Sequence, residues 1–185
     1  MSERPDWDEY FLELTRHVSS RATCDRGRSG CVIVRDKQIL STGYVGSPPG
    51  SEHCDEVGHL LRRVIDEDDV SRVHCVRTIH AEQNAILQAA RTGTSVLGAT
   101  VYCTMEPCRT CAMFIVSVGI RRVVCEHRYH AGADTREIFA RAGVELSAQS
   151  DAAMTYAQQT PGETEARTAE SASAEPADLG VSQLS

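Results

Sequence analysis

The sequence predicts one α/β domain built on a mixed sheet with helices on both faces, and three observations carry that prediction. Two β-branched runs, CVIVRD from Cys31 and ILSTGYV from Ile39, read as a hairpin. From His80 onward, helical and strand patterns alternate, as they do where crossover helices join the strands of a covered sheet. At 185 residues the chain has ordinary single-domain size and can bury a core without disulfide staples.

Residues 6–20 place Trp7, Tyr10, Phe11, Leu14 and Val18 at three- and four-residue spacing, the apolar stripe of a packing helix. The hairpin strands follow, joined by Lys37 and Gln38. Residues 46–78 are rich in Gly, Pro, His, Cys and acids with little periodicity, and Val57, Leu60, Leu61, Val64 and Ile65 suggest a short helix there. A connection of that length normally has a function or a staple. HAEQNAILQAAR is a helix, ATVYCT a strand, CRTCAMFIVSVG a buried helix closed by Gly119, and RRVVCE another strand. DTREIFARAG is a helix opening on an Asp134 cap, before the short strand VELS. The folded domain is therefore expected over 1–147. Residues 148–185 carry six acids against the single base Arg167 and almost no large apolar side chain, so an acidic, mostly disordered tail is expected.

The net charge of -7 argues against a nucleic-acid binder, which would normally present a basic face. Most of that charge lies in the tail, so a local basic pocket for an anionic substrate remains compatible with a nearly neutral domain. No run of about 18 apolar residues is present, which excludes a membrane-spanning helix. The opening MSERPDWDEYF resembles no signal peptide, so a reducing cytoplasmic setting is expected. There the eight cysteines would serve as core residues, metal ligands or catalytic groups.

The chemistry concentrates in two runs, HAE at His80 to Glu82 and PCRTC at Pro107 to Cys111. They supply one imidazole, two thiolates and one further carboxylate, and H-x-E followed by P-C-x-x-C is the signature of zinc deaminases. His80, Cys108 and Cys111 would be zinc ligands, leaving a fourth position for water. Each run opens a helix, whose positive end favours the thiolates, and Pro107 falls where a missing amide hydrogen costs little. Glu82 would be the catalytic proton carrier. A redox reading of the CxxC pair leaves His80 and Glu82 without a task. Cys31, Cys103 and Cys125 lie in apolar strand runs and are assigned to the core.

Cys24, His53, Cys54, His59, His74 and Cys75 remain. A second, structural zinc would staple the long connection, with Cys24, Cys54, His59 and Cys75 as the preferred set and His53 and His74 as adjacent alternates. Unbound loop residues are the other reading.

From about Arg21 to Val124 the chain resembles bacterial and phage deoxycytidylate deaminases, in the runs ATCDR, STGYVGSPPG, HCDEVGH, HCVRTIHAEQNAILQAA and GIRRVV. The resemblance implies a three-layer cytidine deaminase-like fold with a mixed five-stranded sheet, catalytic zinc, and deamination of dCMP to dUMP, feeding thymidylate synthesis. It also implies frequent homo-oligomers, hexamers among them, control by dCTP and dTTP, and in some members a second zinc near Cys24, Cys54, His59 and Cys75. Arg26 and Arg28 fall where the family places substrate-contacting groups and are candidates for the phosphate, the alternative being solvated loop charges. Tyr129 matches an aromatic position near the base or a neighbouring subunit, or is a half-buried packing residue. Arg91 matches a position linked to subunit contacts or regulation, or is an ordinary cap charge.

Two residues depart from the family pattern. Val45 stands where GYNG is usual, and Glu106 makes TMEPC look like purine and riboflavin-pathway deaminases. Both keep open the same chemistry on free cytidine, a modified cytosine nucleotide or a purine base. A non-catalytic nucleotide-binding zinc protein is the alternative of a different class.

Overall fold

A computed structural model describes residues 4–65 and 70–154. Its main sheet joins β1 (Gly30–Arg35), β2 (Gln38–Tyr44), β5 (Thr100–Met105), β6 (Arg122–Tyr129) and β7 (Glu145–Met154) in the order β2-β1-β5-β6-β7. The β1 strand pairs antiparallel with β2 and β5, whereas β6 pairs parallel with β5 and β7, so the sheet is mixed as expected. A separate two-stranded sheet holds β3 (Leu61–Ile65) and β4 (Ser71–Cys75).

The period-two alternation of the strands decides which helix each side chain meets. Val32, Val34, Tyr102 and Val124 pack under α1 (Trp7–Ser19), against Phe11 and Leu12. Cys31, Ile33, Val101, Cys103, Val123 and Cys125 point the other way. They pack with Ala85 of α3 (Ala81–Thr92), Ile115 of α4 (Arg109–Ser117) and Phe139 of α5 (Ala133–Ala142). The three strand cysteines are fully buried, in keeping with a core role.

Several elements differ from expectation for local reasons. The hairpin turns at Asp36 and Lys37, both at positive φ, because a two-residue turn matching the strand twist needs that conformation at both central positions. On α1 the buried face centres on Phe11, Leu12 and Thr15, leaving Trp7 and Tyr10 at the rim. Thr15 is tolerated there because its hydroxyl donates to the Phe11 carbonyl at 2.8 Å. The helix expected near Leu61 to Ile65 is a strand, preceded by the one-turn α2 (Cys54–Val57). Asp134 does not cap α5; Gly132 occupies that place, and Asp134 lies 3.4 Å from Arg109. The last strand extends past residue 147 to Met154, taking the first part of the expected tail into the sheet. The rest of that tail lies outside the described residues.

The N-terminal helix is fastened to the sheet by charge as well as by packing. Arg122 donates to both oxygens of Asp8 at 2.7 Å, and the Tyr102 hydroxyl donates to Asp8 at 2.8 Å. The Arg122 bonds hold the Asp8 carboxyl below its ordinary 3.8. A depressed carboxylate stabilises the fold above its unfolded pKa and stops doing so as the pH falls through its folded one. Asp8→Asn is therefore expected to cost about 1 kcal/mol at neutral pH, a difference that starts to shrink as the pH drops under 3.8 and is gone once it is below the lowered folded-state value. Urea unfolding of both proteins across that range checks it.

Candidate active site and metal centre

His80 and Cys108 are the N-cap residues of α3 and α4, so the positive ends of two helices converge on one place. Pro107 precedes the cap rather than occupying the first turn, and its carbonyl accepts from Thr135 at 2.9 Å. The approach to α3 is held by the paired backbone bonds between Gly46 and Ile79 and by Asn84, which donates to the Tyr44 carbonyl at 2.8 Å. Gly43 lets α3 lie directly on β2: a Cβ there would come within 2.2 Å of the Ala81 carbonyl oxygen.

These constraints bring His80 Nδ1 to 3.5 Å from Cys108 Sγ and 3.4 Å from Cys111 Sγ, and all three donor atoms lie within 4.8 Å of one another. A single ion can span them. A hydrogen bond from the Cys111 thiol, with the His80 ring beside it, brings Cys108 down to about 4. One sulfur is thus ready as thiolate, the form that binds metal. Glu82 stands outside the donor group, with Oε2 at 3.6 Å from Cys111 Sγ, and its burial raises the carboxyl above the usual range.

His80 and Glu82 face a cleft of about 550 Å³, counted to include its open mouth. Val45, Arg26, Ser29 and Thr78 line it, together with His74 and Cys75 from β4. Ser29 and Thr78 belong to no motif in the sequence, and His74 is there only an alternate metal ligand. The place of His74 in the wall follows from the β3–β4 pairing, which the local pattern does not reveal.

A second group is equally compact. Cys24, Cys54, His59 and Cys75 place their donor atoms within 4.8 Å of one another, whereas His53 and His74 are not in the group. The Cys54 and Cys75 sulfurs are 3.6 Å apart, and His59 Nδ1 is 3.7 Å from Cys24 Sγ. Burial pushes the Cys54 thiol up to about 12 and raises that of Cys24. All eight cysteines are free. Three thiols and an imidazole crowded together without a disulfide suit a cation that would stabilise them as thiolates. Cys24 and Cys75 also line the cleft that His80 and Glu82 face.

Among the remaining candidates, Arg26 is in the cleft wall, where its guanidinium also donates to the Val73 carbonyl at 2.8 Å. Arg28 lines an adjoining groove with Arg16 and His127. Tyr129 is buried against Met105, Ala131 and Cys108. Arg91 is exposed in the last turn of α3. Glu106 is buried away from the cleft lining, where its carboxylate accepts two bonds from Arg136 and one from the Tyr129 amide. Its departure from the family pattern therefore has a structural explanation.

A sequence model of the cytidine and deoxycytidylate deaminase zinc-binding region matches residues 5–127. The chain belongs to the cytidine and deoxycytidylate deaminase family. ComE operon protein 2 of Bacillus subtilis is 40% identical over 142 residues, which cover 77% of this chain and 70% of that protein. The deoxycytidylate deaminase of Mycobacterium phage D29 is 39% identical over 124 residues, covering 65% of this chain and 94% of its own length. The dCMP deaminase of cyanophage S-TIM5, solved with dCMP and dUMP, superposes with a TM-score of 0.62 at 25% identity, over 80% of this chain and 99% of that one. Among the described residues, this deaminase has no helix long and apolar enough to cross a membrane.

Proposed function

We propose that this deaminase hydrolyses dCMP to dUMP and ammonia, with His80, Cys108 and Cys111 holding zinc and Glu82 moving the protons. One observation carries the reading: a buried carboxylate adjoins a two-thiol, one-imidazole donor group, stays outside it, and faces a cleft that also contains a guanidinium. Three donors fit a catalytic zinc, which keeps one position open. Zinc bound there supplies the Lewis acidity that makes water nucleophilic at neutral pH.

Glu82 takes a proton from the attacking water and passes it to N3 of the base as oxygen adds at C4. It then carries the water's remaining proton to the departing amine, leaving the carbonyl of dUMP and free ammonia. A carboxyl raised by burial suits both directions of transfer. Arg26 in the cleft wall, with Arg28 in the adjoining groove, offers the paired donors that fit a phosphate. Tyr129 supports the site by packing behind Cys108. Arg91 stands apart from the cleft lining, as an interface or regulatory position would.

We also infer that Cys24, Cys54, His59 and Cys75 hold a structural zinc, because four donors of these types make a closed tetrahedral site. Exposed Leu87, Met113 and Phe114 on α3 and α4 support a homo-oligomer.

The second reading, the same chemistry on another substrate, is favoured by Val45, which presents a hydrocarbon wall to the cleft. Ammonia release from dCMP, CMP, deoxycytidine, dCTP and guanine separates the two. A preference for dCMP of at least about 100-fold over deoxycytidine is expected, since a lost charged contact costs about 3 kcal/mol. Preference for an unphosphorylated substrate overturns the dCMP assignment.

A further inference from the structure

We propose that Asp25 is a positioning residue for the structural metal site, holding His59 in the one tautomer that can bind. The inference rests on the reading of Cys24, Cys54, His59 and Cys75 as a zinc site. The two ring nitrogens of His59 face different groups: Nδ1 lies 3.7 Å from Cys24 Sγ, and Nε2 lies 3.1 Å from Asp25 Oδ1. Ligand and carboxylate are consecutive residues at the start of the short helix Asp25–Gly27, so the ring sits between them as in a clamp. Gly58, at φ 80°, turns the chain out of α2 just before His59.

A neutral imidazole has one lone pair and one N–H, and which nitrogen carries which is set by the partner of the other. A carboxylate at Nε2 keeps the proton there and leaves the Nδ1 lone pair directed into the donor group. A cysteine at residue 59 would need no such partner, because a thiolate has no tautomer to fix. The carboxylate is therefore tied to histidine as the fourth donor and not to the metal in general.

The test is a zinc titration of the full chain against a chromogenic chelator, reading the affinity of the zinc that Cys75→Ser removes. Asp25→Ala is expected to weaken that zinc by about 10-fold, the low end for an outer carboxylate because Asp25 is more than half exposed. Asp55→Ala, which removes the acidic residue that follows Cys54 in sequence as Asp25 follows Cys24, is expected to change nothing. In a His59→Cys background, Asp25→Ala is expected to have no effect. Equal losses from Asp25→Ala and Asp55→Ala, or an unchanged affinity in Asp25→Ala, overturn the positioning role while two zincs still bind. A wild-type chain that binds one zinc overturns the structural-site reading itself.

Discussion

Glu82→Gln is expected to lower kcat for dCMP by about 10³-fold while the catalytic zinc stays bound. The substitution keeps the volume of the side chain in a site that is 7% exposed, so the surrounding packing is preserved. It removes only the ability to gain and lose a proton. That ability is used twice in each turnover, on the way into the tetrahedral species and on the way out, so its loss burdens both halves of the reaction. The metal donors are untouched, since His80, Cys108 and Cys111 form their own group without the carboxylate. Metal analysis and steady-state kinetics on the same preparation decide the matter. Turnover within tenfold of wild type would remove Glu82 from the mechanism, and loss of zinc along with activity would make it a ligand instead.

This centre could be read from the sequence because its parts lie within a few residues of each other at helix starts. His80 and Glu82 are separated by one residue, Cys108 and Cys111 by two, and the first turn of a helix converts such spacings directly into geometry. The second donor group is legible only as a preference among six leftover Cys and His residues, supported by the family resemblance, with His53 and His74 left as alternates for Cys24, Cys54, His59 and Cys75. The hairpin that delivers Cys75 was not legible. Leu61, Val64 and Ile65 fall at three- and four-residue spacing, which mimics a helical stripe, yet their strand is mostly exposed and pairs antiparallel with Ser71 to Cys75. Periodicity reports burial, and a strand that buries little gives it nothing to report. The extension of β7 is illegible for the same reason, since Asp151 to Met154 form an exposed end of an edge strand.

Glu106 illustrates a different limit. Its partner Arg136 is 30 residues away, on α5, and no local pattern links them. Arg136 donates to both carboxylate oxygens at 2.8 Å, and the Tyr129 amide donates at 3.0 Å. Gly132 at the start of α5 makes room, because a Cβ there would meet the Glu106 carboxyl carbon at 2.9 Å. Arg136→Met is expected to destabilise the fold by about 3 kcal/mol, the low end for a buried carboxylate left without its cation. The low end applies because the Arg136 side chain is half exposed, so water reaches the vacated position and Arg128, 3.8 Å away, offers a weaker substitute. For a chain of this size that is a fall in Tm of roughly 6–12 °C. Glu106→Gln in the Arg136→Met background is expected to recover more than half of the loss, because the amide keeps an acceptor for the Tyr129 N–H and carries no charge to strand. The recovery separates a stranded charge from simple loss of packing around Arg136, which the second substitution would leave uncorrected. Thermal unfolding of the single and double variants, with zinc content measured before each scan, reads the outcome. A double variant no more stable than Arg136→Met would show that the guanidinium acts by packing instead of by neutralising Glu106.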